Sequence, residues 1–467
     1  VAKQEEIFMH RLKMIRFVLV MALAVLPNRV FADDPALSAR RFHVQAIEAL
    51  MATAGNEPLE KFAGEHFAPA YRDSFPKGKL VEHLGEIRSA VTNFGGLLVN
   101  QGEDGVVRMK FMLPAGATKV RFTMQPAAPY LITAFDLEGT SPLDPKPTIQ
   151  PITWESLAAR MDEEAKKGFS GCVYAVHEGK VELAQGYGFA DRDLEIRNGV
   201  NTIFAIGSTP IDFTRAAVLK LEQTGKLKTS DSIAKYFSDV PADKKDITID
   251  QLMSGASGLP NFHHLPGVDA DPDLTWIDRE TALKRIFAEP LLFKPGKGSA
   301  HSHSAWVLLA ALVEKVSGQP YIDYVTQQLF EPAGMNSTFV HEGLRKVADQ
   351  RIAIGYEAQT VGKDNKPKYW GRTSWLVMGS GGMVSTVEDL AKFITGVHDG
   401  TLLNAKEARK YGGEGGLWVG GDDRGFLCVH AERGKDMVIV MSNAHRGPGD
   451  LQSSVGEALG RMALGRE

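Results

Sequence analysis

One stretch constrains this chain more than any other: Phe204 to Leu221, FAIGSTPIDFTRAAVLKL. It reads as the end of a strand, a tight turn at Gly207 and then a helix. Pro210 fits the first helical position, where no N–H is needed, and Thr209 is expected to cap the helix. Ile211, Phe213, Ala217, Val218 and Leu221 give a broad apolar face, and Gly225 supplies a stop. Ser208 therefore stands at a helix N-terminus. The dipole there favours the negative charge that develops on an attacking oxygen.

The sequence around this stretch has its own organisation. Trp154–Lys167 reads as a helix, and FSGCVYAVHEGKVELAQGYGFADRD reads as two strands turning at His177-Glu178-Gly179. ITIDQLMSGASGLP follows, then an apolar helix at Trp306–Ser317, a stretch Pro320–Met335 ending in Gly-Met, and GSGGMVSTVEDLAKF with Thr386 or Ser385 as a helix cap. Met437–Asn443 is a late strand ending in Ser-Asn. In order and spacing these strings resemble the serine β-lactamase, penicillin-binding protein and esterase superfamily, above all its class C-like branch. The resemblance covers about residues 150–445. It implies an α/β (α+β) β-lactamase/transpeptidase-like domain: an antiparallel sheet of N- and C-terminal strands, flanked by helices, with a helical part between.

What the resemblance implies for chemistry is altered at three places. In the family the serine opens S-x-x-K, and the lysine one turn on takes the hydroxyl proton. Here the tetrapeptide is Ser208-Thr209-Pro210-Ile211, and a hydrocarbon accepts no proton. The family's Y-x-N position, after Pro295-Gly296, holds His301-Ser302-His303. Its K-T-G or H-x-G position, counted back from Gly425-Phe426, is Val419-Gly420-Gly421. Two function classes remain open. In one, the chain is a non-catalytic or strongly impaired homologue that keeps a cleft for a cell-wall peptide, another small ligand or a protein, with His303, Gly420 and Gly421 lining it and Ser208 serving only as a helix-terminal residue. In the other, Ser208 is a working nucleophile for an ester, amide or lactam, and His301, in the tyrosine's place, is its base.

Length and composition frame the remainder. The chain has 467 residues and a net charge of -4 with no long run of one sign, which argues against nucleic acid as partner. His10, Arg11, Lys13 and Arg16 precede the apolar run Phe17–Leu26, and Val30-Phe31-Ala32 offers a cleavage site. Residues 1–32 thus read as a signal peptide, the protein as exported to the periplasm or the extracellular space, with no membrane span left after its removal. Residues 33–140 show three helical patterns (Ala36–Ala54, Leu59–His66, Leu80–Val91), then four strand patterns (Gly96–Asn100, Val106–Leu113, Lys119–Gln125, Tyr130–Leu137). This is a small α+β domain similar to NTF2-like or cystatin-like modules. Residues 141–148 form a Pro-rich linker, and 149–467 form the hydrolase-like domain.

Two cysteines, Cys172 and Cys428, sit in strand-like runs and read either as a pair or as separate buried thiols. The pairs His263-His264 and His301/His303 match no strong metal spacing. Asp269, Asp271, Asp273 and Glu280 have calcium-loop spacing, but Leu274 stands where that loop needs glycine. No metal and no cofactor is expected.

Overall fold

A computed structural model of the chain describes residues 35–51, 53, 55–91, 96–101, 106–113, 116–141, 147–261, 274–356, 365–412, 418–447 and 449–466. The signal-peptide segment, most of the Pro-rich linker, His263-His264 and Asp269–Asp273 lie outside the described residues.

The first unit runs through helices α1 (Pro35–Met51), α2 (Glu57–His66), α3 (Pro69–Asp73) and α4 (Lys79–Ala90). Strands β1 (Gly96–Gln101), β2 (Val107–Leu113), β3 (Gly116–Met124) and β4 (Ile132–Ser141) then form an antiparallel meander in sequential order. Helices and strands share one core, in which Ile47, Leu59, Leu84 and Ile87 meet Phe111, Phe122 and Phe135. The short α3 is the element that the helical periodicity does not reveal. At five residues it is too brief to show an apolar period, and Pro69 opens it. Inside this core His43 Nδ1 lies 2.9 Å from His66 Nδ1, and His43 Nε2 lies 3.0 Å from the Tyr130 carbonyl. A carbonyl only accepts, so His43 donates from Nε2, and His66 donates from Nδ1 to His43.

The second part is built on a five-stranded antiparallel sheet in the order β12-β13-β14-β5-β6. Its members are β5 (Gly171–His177), β6 (Lys180–Tyr187), β12 (Trp418–Asp423), β13 (Phe426–Arg433) and β14 (Asp436–Ser442). N- and C-terminal strands meet where β14 pairs with β5, from Met437↔Val176 to Ser442↔Gly171. The period of two along each strand sorts the side chains. Val173, Ala175, Val429, Ala431, Val438 and Val440 pack with α5 (Leu157–Lys166) and the last helix, while Cys172, Cys428, Met437, Ile439 and Met441 join the larger core on the other face.

That larger core holds α6 (Pro210–Gln223), α7 (Arg279–Ala288), α8 (His303–Ser317) and α9 (Val387–His398). It also takes Ala408 and Tyr411 from α10 (Ala405–Tyr411). The last helix, α11 (Leu451–Ala463), covers the opposite face. The start signals work as the residue types dictate. Ser302 caps α8, Thr386 caps α9 and Asp450 caps α11, each accepting from a backbone N–H of the first turn. Two short hairpin strands, β7 (Phe189–Asp191) and β8 (Ile196–Arg197), precede a small sheet in which β11 (Met383–Ser385) lies between β10 (Phe339–Val340) and β9 (Phe204–Ala205).

Cys172 and Cys428 are separate buried thiols, so the pairing left open by the sequence does not form. The Cys172 thiol donates to the Gly199 carbonyl at 3.0 Å.

Candidate active site

Ser208 is set by the turn between β9 and α6. Ile206 N–H donates to the Met383 carbonyl at 3.2 Å, which fixes the strand end beside β11. Gly207 then takes φ +50°, the left-handed conformation that turns the chain into the helix. Thr209 N–H closes the turn onto the Ile206 carbonyl at 3.0 Å, and Ile211 N–H onto the Ser208 carbonyl at 3.1 Å. Thr209 does not cap the helix as the sequence suggests. Its backbone is already helical (φ -57°, ψ -28°), and that geometry turns its hydroxyl away from the first-turn N–H groups. Ser208 itself is half-buried, and among the described residues neither its N–H nor its hydroxyl makes a hydrogen bond.

Strand β12 lies directly against this turn. A Cβ added to Gly421 would stand 2.5 Å from the Ile206 carbonyl oxygen and 2.6 Å from the Ser208 nitrogen. Only glycine lets the strand approach so closely, so the edge of the main sheet and the serine turn form one wall. A serine hydroxyl and an undonated backbone N–H at a helix start can bind and stabilise an oxyanion.

A serine at the start of a buried helix, with a sheet edge pressed against it, is the arrangement that the resemblance implies. The model of the Beta-lactamase family matches residues 156–423. The chain belongs to that family. Among its relatives, PbpX of Bacillus subtilis (strain 168) is 31% identical over 245 residues, which are 52% of this chain and 58% of PbpX. Penicillin-binding protein 4* of the same organism is 29% identical over 201 residues, 41% of this chain and 42% of that protein. The chain thus spans about half the length of the curated relatives it matches. Among solved structures, the octameric penicillin-binding protein homologue from Pyrococcus abyssi superposes with a TM-score of 0.56 at 22% identity, covering 68% of this chain and 78% of that one. The penicillin-binding protein from Bacillus halodurans gives 0.55 at 24%, covering 65% and 99%. The D-amino acid amidase from Ochrobactrum anthropi SV3 gives 0.55 at 21%, covering 64% and 94%. At these identities the structures attest the fold alone.

This β-lactamase-family member places the altered motif positions as follows. Ile211, at the lysine position, is 7% exposed and belongs to the main core. His301 is exposed and stands just before the α8 cap, its ring edge-on to His303 at 4.9 Å. It forms no hydrogen bond with Ser208. His303 opens α8. Val419 pairs with His430, Gly420 with Val429 and Gly421 with Cys428. Of the residues expected to build the site, the structure therefore joins Gly421 to Ser208 directly.

The ladder partner of position 419 is a group that sequence reasoning missed. His430 Nε2–H donates to Asp212 Oδ2 at 3.1 Å, with the two side chains 2% and 1% exposed. Asp212 lies on α6 one turn beyond Ser208. Burial, and then the Asp212 charge, push the Tyr411 phenol far above its ordinary range. Burial raises the Cys428 thiol to about 12, against the pull of the neighbouring Thr209 hydroxyl. The signal for this cluster was present as polar residues at positions facing a core, Asp212 in a helix and His430 in the strand FLCVHAER. Only the three-dimensional register shows that they meet.

Among the described residues no group of three or more His, Cys, Asp or Glu could hold a metal ion, and no helix is long and apolar enough to cross a membrane. A groove of about 1020 Å³ runs between β5, β14 and α9 and is lined by Tyr174, Glu388, His398 and Glu432 among others. It contains none of Ser208, Ile211, His301 or Gly421, and its His398 and Glu432 pair with each other at 2.9 Å.

Proposed function

We propose that this chain is an exported, penicillin-binding-protein-like member of the β-lactamase family that is impaired in the family's lysine-based catalysis and uses its cleft to bind a cell-wall peptide or a related small acyl compound. One observation carries the reading: Ile211, buried in the core, stands one helical turn from Ser208, where the family places its proton-accepting amine. Loss of one member of a comparable hydrolase unit lowers turnover on the order of 10⁴- to 10⁶-fold. The undonated Ser208 N–H and the close approach of Gly421 support retention of the family's serine turn. The basic start and apolar run of residues 10–26 support export.

The test is equilibrium binding of soluble cell-wall stem peptides by calorimetry, followed by product analysis. Equal affinity for the wild-type protein and Ser208→Ala, with no product, is expected. Rapid turnover that Ser208→Ala abolishes, or no binding to either protein, would overturn the proposal.

A further inference from the structure

Trp276, just before α7, is 47% exposed, and the Arg372 guanidinium lies over its ring, 5.0 Å from the centroid. Arg372 is itself exposed and, among the described residues, makes no ion pair and no hydrogen bond. Stacking occupies the face of a guanidinium and leaves its N–H edge open. The ring also holds a long, flexible side chain in one orientation, so less freedom is lost when that edge takes a ligand. The carboxylates beside the pair are engaged elsewhere. Asp278 accepts from the Thr281 N–H and Glu342 from the Thr373 N–H, at 2.8 Å each. A short series of contacts ties the pair to the serine turn. Ile277 N–H donates to Ser374 Oγ at 3.0 Å, and Trp375 N–H donates to the Ile277 carbonyl at 3.2 Å, which fastens the chain beside Trp276 to the chain beside Arg372. Thr373 Oγ1–H donates to the Gly382 carbonyl at 3.0 Å. Gly381 next to it packs on the turn itself, since a Cβ there would stand 3.2 Å from the Gly207 carbonyl oxygen.

We propose that Arg372 and Trp276 form an anion subsite beside the Ser208 turn, which selects ligands that carry a free carboxylate over the same ligands as amides. The two carboxylate oxygens accept parallel N–H bonds from the open edge of the guanidinium. The indole keeps the guanidinium plane in place and presents its own exposed surface to the apolar part of the ligand. An amide offers one oxygen and two further donors to a group that only donates, so it loses the charge and one of the two bonds. The inference rests on the proposed function, because it names which cell-wall peptides or acyl compounds the protein prefers.

The experiment is calorimetric binding to the full chain of a soluble stem pentapeptide with free carboxylates, and of the same peptide with its carboxylates amidated. The wild-type protein is expected to bind the free acid about 10-fold more tightly, the scale of one charge-assisted hydrogen-bonded contact. Arg372→Gln should erase this preference and leave the affinity for the amide unchanged. Arg372→Lys should restore part of it, and Trp276→Leu should weaken it. Both positions are exposed, so the fold is expected to persist, which a thermal melt checks. Arg197 is the control, an exposed arginine stacked on Phe189 at 4.4 Å. Arg197→Gln removes the same charge elsewhere and should leave the preference intact. Equal affinity for acid and amide in the wild-type protein, a preference that survives Arg372→Gln, or one lost equally in Arg197→Gln would overturn the subsite and leave the proposed function standing. If neither peptide binds, the proposed function fails and a glutarate titration followed by tryptophan fluorescence decides the subsite. A saturable change that disappears in both Trp276→Phe and Arg372→Gln would support the subsite. No saturable change, or one that persists in either variant, would overturn it.

Discussion

Gly421 and Ser208 are in backbone contact: a methyl group at Gly421 would meet the Ser208 nitrogen at 2.6 Å. The edge strand of the main sheet is thereby fixed against the serine turn, and both sides of that contact are main chain, which cannot step aside. Gly421→Ala is expected to displace the turn. A destabilisation of about 1–3 kcal/mol, the usual range for overpacking, should appear in urea unfolding, together with loss of any Ser208 adduct. An alanine variant with unaltered stability and labelling would show that the contact is dispensable.

Restoring the amine is the complementary change. Ile211→Lys puts an ammonium group one turn from Ser208 at a position 7% exposed. The account expects two effects together: a lower melting temperature from burying charge, and faster phosphonylation of Ser208. Faster labelling would show that the turn around Ser208 is still competent. Unchanged labelling in a folded variant would place the defect elsewhere than at position 211.

The paired histidines of the first unit predict a pH dependence. Burial first, and then His43, hold His66 down at about 3, and burial lowers His43. Both are protonated near pH 6.5 in the unfolded chain. The unfolded state therefore binds more protons below pH 6.5. The stability that neutral His66 contributes is complete above that pH and declines as the pH falls from 6.5 toward 3, by up to about 1.4 kcal/mol per pH unit, and the lowered His43 contributes with the same sign. His398, raised chiefly by its hydrogen bond to Glu432, contributes with the opposite sign, present below pH 6.5 and lost as the pH rises through its elevated folded value. Hydrogen–deuterium exchange localises the effect. Protection in α1 and α2 should fall between pH 7 and pH 5, and the double variant His43→Leu/His66→Phe should remove the trend.

Asn443 joins the two ends of the second part. Its side-chain nitrogen donates to the Phe189 and Ile354 carbonyls at 2.9 Å each, and its oxygen accepts from the Ser170 hydroxyl at 2.9 Å, with the residue fully buried. Asn443→Ala would strand these partners away from water. A loss of about 2–4 kcal/mol in chemical unfolding is expected, because each buried group left without a partner carries its own desolvation cost. A loss under about 0.5 kcal/mol would mean that other groups take over the partners.

Much of the architecture was legible in the chain because its signals are local. The apolar runs of β5 and β14, the cap residues Ser302, Thr386 and Asp450, and the Pro210 start all act within a few residues of where they stand. The site was legible only in part. Ser208 and Gly421 could be placed by counting along known strings, and the structure joins them. His301 has the imidazole that suits a base, but its exposed place before α8 brings it no bond to the serine. Asp212 and His430 lie 218 residues apart and meet through the register of β13 beneath α6. No local pattern encodes that contact. Thr209 has the residue type of a cap, but residue type does not set the backbone angles that capping requires. The helical backbone at that position turns it into a buried hydroxyl instead.

The most direct measurement is the rate at which Ser208 takes up a penicillin probe, read by intact mass on the full chain beside Ser208→Ala. The account predicts an adduct on the wild-type protein alone, formed on the order of 10⁴-fold more slowly than on a relative with an intact S-x-x-K. Uptake as fast as in such a relative, or an adduct that survives in Ser208→Ala, would contradict it.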